Sequence, residues 1–140
     1  MNWKKIAAGT AAYTLVTFPL AVVWHVVVFE EQYRSFGYFA GEPSFSLGLL
    51  TILIQGLLLS AMYPRFHTAG SVLVRGLKFA AVIGAFFWTS HVLAFVAKQS
   101  VASQYLFVAM ETFYLAVQFG VFGVLIAAIY AYQGAARTAR

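Results

Sequence analysis

The residues from Leu106 to Tyr132, LFVAMETFYLAVQFGVFGVLIAAIYAY, form an apolar run with a single charged side chain, Glu111. Crossing the roughly 30 Å hydrocarbon core of a bilayer takes about 20 helical residues. The run is therefore long enough to span a membrane as one helix. A spanning β-barrel does not fit, because the run has no polar–apolar alternation and a chain of 140 residues is too short for one.

Three more apolar runs precede this one, at Ile6–Phe29, Phe45–Met62 and Phe79–Ala97. Proline at position 43 suits the first turn of the second helix, and Gly70-Ser71 supplies a break and an N-cap before the third. The first run is too long for the apolar region of a signal peptide and is predicted to be retained. The predicted fold is an all-α membrane protein, a single four-helix transmembrane bundle over residues 1–140 with spans at about 6–29, 45–62, 79–97 and 106–132. The segment from Glu30 to Ser44 is predicted to be the one sizeable loop.

The composition agrees with a lipid environment. Hydrophobic residues make up 62% of the chain and charged residues only 9%, against about 25% charged residues in soluble domains. The net charge of +5 is spread between apolar runs rather than gathered on a basic face, so no nucleic acid partner is predicted. The absence of cysteine excludes disulfides, thiolate metal sites and cysteine nucleophiles.

The charge distribution predicts an orientation. Positive residues favour the cytoplasmic side of a membrane. Seven of the nine fall on the side of the N-terminus: Lys4, Lys5, Arg65, Arg75, Lys78, Arg137 and Arg140. Only Arg34 and Lys98 fall on the other side, together with the acidic residues of the predicted loop. Both termini are therefore predicted to be cytoplasmic, in a cell (inner) membrane.

Three residues within the spans are costly to place in lipid: His25, His91 and Glu111. An ionisable side chain near the bilayer centre costs at least ~2.5–3.5 kcal/mol, so such residues tend to face the bundle interior and find partners. At 1.5 Å of rise per residue, all three lie roughly 6–9 Å below the outer boundary. Three costly residues from three helices are thus predicted to share one layer.

Helical spacing adds further polar residues to this layer. Tyr114 and Gln118 follow Glu111 on one stripe of the fourth helix, and Thr51 and Gln55 share a face of the second. Trp88 falls on the stripe through His91. The predicted polar cluster consists of His25, His91, Glu111, Tyr114, Gln118, Gln55, Thr51 and Trp88.

Three chemistries fit such a cluster. Two imidazoles and a carboxylate are ligand types for zinc, iron or copper, with His25, His91 and Glu111 as the ligands, and two histidines from facing helices are able to hold a haem. The same groups suit a proton relay. The plainest alternative is a hydrogen-bonded network that only sets the helix register. No local metal-ligand spacing such as HExxH favours the metal site.

Three functional hypotheses follow. The first is a non-enzymatic membrane protein, either free-standing, self-associated or an accessory subunit of a larger membrane complex. The second is a membrane-embedded metal- or haem-binding protein or enzyme that uses the cluster. The third is proton-coupled binding or transport of a small solute or lipid.

No catalytic residue is assigned, since no nucleophile or phosphate-binding motif occurs. His67, in the turn after Pro64, is predicted to be a solvated loop residue.

A wider pattern links these features. Trp24-His25 ends the first helix, the segment from Tyr33 to Phe39 makes an aromatic outer loop, and Trp88-Thr89-Ser90-His91 lies in the third helix. In this pattern the chain resembles small four-helix bacterial integral membrane proteins of unknown function. The resemblance covers most of the chain and implies a bacterial inner-membrane setting. It implies no activity.

Overall fold

The computed structural model describes residues 2–39, 41–66 and 68–138, with side chains described as far as Tyr132. His67 and Arg140, for which the sequence predicts a cytoplasmic position, lie outside the described residues. The structure is 84% helical, and no strand occurs within the described ranges. The prediction of an all-α fold is confirmed.

The chain forms six α-helices in the described ranges. They are α1 (Trp3–Val22), α2 (Glu30–Ser35), α3 (Phe45–Met62), α4 (Val72–Phe87), α5 (Ala94–Lys98) and α6 (Gln104–Thr138). Two π-helical turns continue the backbone, Val23–Val28 after α1 and Trp88–Leu93 between α4 and α5, and a 3-10 turn (Tyr63–Arg65) follows α3.

Four continuous helical segments are long and apolar enough to cross a membrane. The first to fourth spans are Trp3–Val28, Phe45–Arg65, Val72–Lys98 and Gln104–Tyr132. Large apolar side chains such as Leu15, Val27 and Phe86 point away from the bundle and are well exposed. In water such a surface would be unfavourable, whereas lipid solvates it.

Short polar residues decide where the spans begin. Ser71 caps α4 by accepting from the Val74 backbone N–H, as predicted, and the helix then starts at Val72 rather than at Phe79. Ser44 caps α3 in the same way, so Pro43 lies before the helix and its predicted first-turn position is wrong.

The predicted loop contains a short helix, α2. Arg34 pairs with Glu30 one turn earlier at 2.9 Å, the i,i+4 spacing that supports a helix on the surface. This helix matters for the site, because it presents Tyr33 to the bundle interior, where that residue is fully buried.

Small residues allow the spans to pack closely. Gly76 on the third span lies against Gly123 on the fourth, and a Cβ atom at either position would overlap the other backbone. Gly56 on the second span lies against Tyr13 on the first. The first span also packs on the fourth, whereas the second and third spans barely touch. The spans therefore form an arc in the order second, first, fourth, third, with a gap between its ends.

Candidate functional site

Three predicted residues meet in the outer half of this arc. The Glu111 side chain is fully buried. Its Oε1 lies 2.9 Å from Nε2 of His25, and its Oε2 lies 2.8 Å from Nε2 of His91. Each carboxyl oxygen thus binds one imidazole, and the three residues form a triad that joins the first, third and fourth spans.

The two outer tyrosines complete the surroundings of the triad. The Tyr33 hydroxyl, on α2, donates to Oε1 of Glu111 at 2.5 Å and accepts from Nε1 of Trp24 at 2.7 Å. Burial and the adjacent Glu111 raise the pKa of the Tyr33 phenol above its ordinary value. This phenol therefore stays protonated and remains a donor to the carboxyl group.

Tyr38 covers the triad from the outside. Its ring stacks on His25 with the centroids 5.6 Å apart, and its hydroxyl lies 3.3 Å from Nε2 of His91. The chain turns toward the bundle at Gly37, whose φ of 72° suits a residue without a side chain. Burial and Glu111 also raise the pKa of the Tyr38 phenol.

Both histidines lie in π-helical turns, His25 in Val23–Val28 and His91 in Trp88–Leu93. A π-helical turn carries extra backbone per turn and is frequent at functional sites. In the third span, the hydroxyls of Thr89 and Ser90 bond the carbonyl of Phe86 at 2.8 and 3.0 Å. They satisfy a backbone group whose usual helical bond the wider turn disturbs.

A backbone carbonyl of the first span determines that Nδ1 of His25 is protonated. Nδ1 of His25 lies 3.0 Å from the Ala21 carbonyl oxygen. Because a carbonyl only accepts, Nδ1 must carry a hydrogen. Nε2 then either donates to an ionised Glu111 or accepts from a protonated one. In both cases one proton lies between His25 and Glu111 and the pair is net neutral, which keeps the cost of burial low.

The same logic applies to His91. Its Nε2 faces Oε2 of Glu111 and donates to it in both of those proton arrangements. Its Nδ1 has no hydrogen-bond partner among the described residues, and the His91 side chain is 35% exposed. A neutral His91 therefore offers a free acceptor nitrogen beside a buried proton.

A cavity of about 360 Å³ lies next to the triad, between the second and third spans. His25 and His91 line its outer end, and Gln55 and Gln118 line its inner end. Apolar side chains such as Phe18, Phe87 and Leu115 make up most of the remaining wall. Its size and its few polar groups are typical of small-molecule sites.

A second polar network forms the inner end of the cavity. The Tyr13 hydroxyl accepts from Nε2 of Gln118 at 2.7 Å and donates to Oε1 of Gln55 at 3.0 Å. The Thr17 hydroxyl lines the same cavity and is buried with no hydrogen-bond partner among the described residues. A buried polar atom of this kind usually finds water or a ligand.

The structure brings most of the predicted cluster together. His25, His91, Tyr114, Gln118, Gln55 and Thr51 all line the cavity, and Glu111 is buried behind the histidines. Trp88 does not join them, since its Nε1 donates to Thr112 at 2.8 Å and its ring lines a different groove. The reason is the π-helical turn, which takes Trp88 and His91 off a common face.

The sequence pattern does not reveal the aromatic residues that surround the triad, Tyr33, Tyr38 and Trp24. Tyr33 and Tyr38 lie in what the pattern presents as a loop, and Trp24 adjoins His25 without a spacing that marks it. Their one common signal is the density of aromatic residues between Trp24 and Phe39.

The arrangement favours proton chemistry over metal binding. Both nitrogens of His25 are engaged, one with Ala21 and one with Glu111, so a metal or haem iron would have to displace one of these bonds. Within the described residues, no group of three or more His, Cys, Asp or Glu side chains is arranged to hold a metal ion.

Comparison with protein-family models, curated proteins and solved structures finds no match to this chain.

Proposed function

We propose that the chain is a non-enzymatic membrane protein that binds a small, mostly apolar molecule with a hydroxyl group, and that the triad couples this binding to a proton. The observation that carries the proposal is the cavity, which has apolar walls and the His25–Glu111–His91 triad at one end. A soluble substrate has little to gain from such walls, whereas an amphiphile dissolved in the bilayer matches them.

The gap between the second and third spans provides the route of entry. These two spans barely touch, and residues from both of them line the cavity. A molecule in the outer leaflet reaches His91 through this gap without crossing the membrane. Tyr38 and Phe39 line the cavity from the outer side and separate it from water.

The free nitrogen of His91 selects the polar group of the ligand. A neutral His91 accepts at Nδ1, so it binds a hydroxyl or N–H donor and rejects a molecule that offers only acceptors. Accepting such a bond strengthens the donation of the His91 Nε2–H to Glu111 and so stabilises the ionised carboxylate, which changes how tightly the triad holds its proton. Binding is therefore expected to depend on pH.

Substitution of Gly48 tests the cavity. Gly48 lines it, and a Cβ atom there meets nothing within 4 Å. Gly48→Leu places a side chain in the cavity and is expected to abolish saturable binding of 4-octylphenol by the purified protein in nanodiscs, measured by isothermal titration calorimetry. The wild type is expected to bind octylbenzene, which lacks the hydroxyl, about tenfold more weakly.

Gly120→Leu is the matched control. Gly120 is also a mid-helix glycine with open space around its Cβ, but it lies in the groove between the third and fourth spans, away from the triad. Both substitutions raise helix propensity, so neither is expected to impair folding. Equal binding by the two variants would disprove the proposed cavity.

Glu111→Gln tests the coupling to a proton separately. Glutamine keeps the shape of the side chain but holds no titratable proton. The variant is expected to bind 4-octylphenol with an affinity that varies less with pH than that of the wild type. Binding that is independent of pH in the wild type would remove the coupling and leave the cavity in place.

We also propose that the triad end faces the periplasm of a bacterial inner membrane and that both termini are cytoplasmic. The distribution of positive residues along the sequence supports this orientation.

A further inference from the structure

A second cavity, of about 440 Å³, lies at the opposite end of the bundle from the triad. Tyr63, Phe66, Thr68, Arg75 and Tyr130 contribute to its lining. It differs from the first cavity in having an arginine in its lining, Arg75 in the first turn of α4, together with the Thr68 hydroxyl just before that helix.

Both of these donors lack partners. Nε of Arg75 and Oγ1 of Thr68 are buried and have no hydrogen-bond partner within the described part of the chain. A buried donor without a partner costs about 1–3 kcal/mol, more when it is charged. Two such donors in one cavity indicate a group that accepts hydrogen bonds from both.

The charges around the cavity show what kind of group this is. The sequence has four acidic residues, Glu30, Glu31, Glu42 and Glu111. Glu111 belongs to the triad, and the other three lie in the segment joining the first two spans, at the triad end of the bundle. No acidic side chain is therefore available at this end to neutralise Arg75.

Other cations at the same end are already engaged. Nζ of Lys5 donates to the Tyr130 carbonyl at 2.6 Å and lies 5.1 Å from the centre of the Tyr130 ring. Nζ of Lys78 donates to the Ala69 carbonyl at 3.2 Å. They leave Arg75 as the donor that faces the cavity and add positive potential around it. The N-terminal end of α4 contributes in the same sense.

We propose that this cavity binds an anionic phosphate group, with the Arg75 guanidinium as the main ligand and the Thr68 hydroxyl as a second donor. The planar fork of arginine matches two oxygens of a phosphate. Two sources share this chemistry: the headgroup of an anionic phospholipid and a free phosphate from solution. The site is independent of the triad and of the function proposed for it.

Two binding measurements on the full-length protein distinguish the sources. In the first, inorganic phosphate is titrated into protein held in an uncharged maltoside detergent and followed by calorimetry. In the second, native mass spectrometry counts phosphatidylglycerol retained by protein released from phosphatidylcholine nanodiscs that contain a minor fraction of phosphatidylglycerol. Binding in the first identifies a site for soluble phosphate, and retention in the second alone identifies a headgroup site.

Arg75→Gln is expected to weaken whichever binding is seen by about tenfold or more, since a charge-assisted pair is lost. Arg75→Lys keeps the charge without the fork and is expected to fall between Arg75→Gln and the wild type. Lys4→Gln removes one exposed charge from the same end, outside the cavity, and is expected to change binding less than about twofold.

Thr68→Val distinguishes a loss of binding from a loss of folding. It removes the second donor and leaves every charged side chain in place. It is expected to weaken binding while the helix content measured by circular dichroism stays unchanged. Absence of binding in both measurements overturns the proposal, and so does an equal loss in Arg75→Gln and Lys4→Gln.

Discussion

Glu111 shows how one carboxyl group is accommodated inside an apolar bundle. Its two oxygens bind three groups, Nε2 of His25, the Tyr33 hydroxyl and Nε2 of His91. A lone buried carboxylate would be very unfavourable, and these partners, with the proton shared with His25, make the burial tolerable. Each of these partners is therefore expected to stabilise the fold, because removing one leaves another buried polar group without a hydrogen bond.

Tyr33→Phe is expected to lower the free energy of unfolding by about 1–3 kcal/mol. The substitution removes a donor to Glu111 and leaves Nε1 of Trp24 without its acceptor. Titration with sodium dodecyl sulfate in mixed micelles, followed by circular dichroism, measures the change. Tyr105→Phe is the control, because Tyr105 is 87% exposed, and a loss of similar size there would contradict the assignment.

Tyr33→Phe also tests how the stability of the fold depends on pH. Burial and the adjacent Glu111 raise the pKa of Tyr33 in the folded state above its ordinary value of about 10. A group with a raised folded pKa stabilises the fold fully below its unfolded pKa, and this contribution is lost as the pH rises through the folded value. Stability is therefore expected to fall above about pH 10, and less steeply in Tyr33→Phe.

At the scale of secondary structure, the two π-helical turns bring the histidines to Glu111. The turn in the first span follows Pro19, which has no N–H to donate within the helix. The turn in the third span contains Thr89 and Ser90, whose hydroxyls bond the Phe86 carbonyl. The two spans thus use different residues to reach the same local geometry, and each turn contains one imidazole of the triad.

The double variant Thr89→Ala, Ser90→Ala is expected to weaken the contact between His91 and Glu111. Without the two hydroxyls, the backbone recovers regular α-helical bonds and the His91 side chain rotates away. Solid-state NMR measures this through the dipolar coupling between labelled Nε2 of His91 and Cδ of Glu111, which is expected to fall below detection.

Thr10→Ala is the matched control for that experiment. The Thr10 hydroxyl makes the same kind of bond, to the Ile6 carbonyl at 2.8 Å, but within a regular α-helix. It is expected to leave the coupling unchanged. A coupling that survives in the double variant would show that the hydroxyls do not determine the turn.

At the scale of the whole molecule, the bundle is an arc with two unlike ends. The triad end carries all the acidic residues and the larger connection between spans, whereas the opposite end carries a cluster of cations that includes Arg75. The open side of the arc, between the second and third spans, provides the cavity. The two proposed sites differ accordingly. The triad lies at the end with the acidic residues, and the proposed phosphate site lies at the end with the cations.

Cysteine labelling tests the proposed orientation. The sequence contains no cysteine, so a single cysteine introduced at an exposed position is labelled without interference from other thiols. Gly41→Cys and Gln99→Cys are expected to react with a membrane-impermeant maleimide in intact bacterial cells. Asn2→Cys and Ala69→Cys, at the opposite end, are expected to react only after the membrane is permeabilised. The reverse pattern would invert the orientation.

The sequence by itself determined the all-α fold and the four apolar helices, because hydrophobicity and length are properties of each segment alone. It also predicted His25, His91 and Glu111 in one layer, since the depth of a residue follows from its distance to the end of its span at 1.5 Å of rise per residue. The helical stripe of Glu111, Tyr114 and Gln118 faces inward as its spacing predicted, because α6 is a regular helix.

Only the tertiary structure decided which groups meet within that layer. The π-helical turn in the third span rotates His91 away from the face of Trp88, and the short helix α2 folds back to place Tyr33 against Glu111. The gap between the second and third spans likewise depends on which helices pack together. Such contacts join residues far apart in the chain, and their energies depend on the whole arrangement rather than on any one segment.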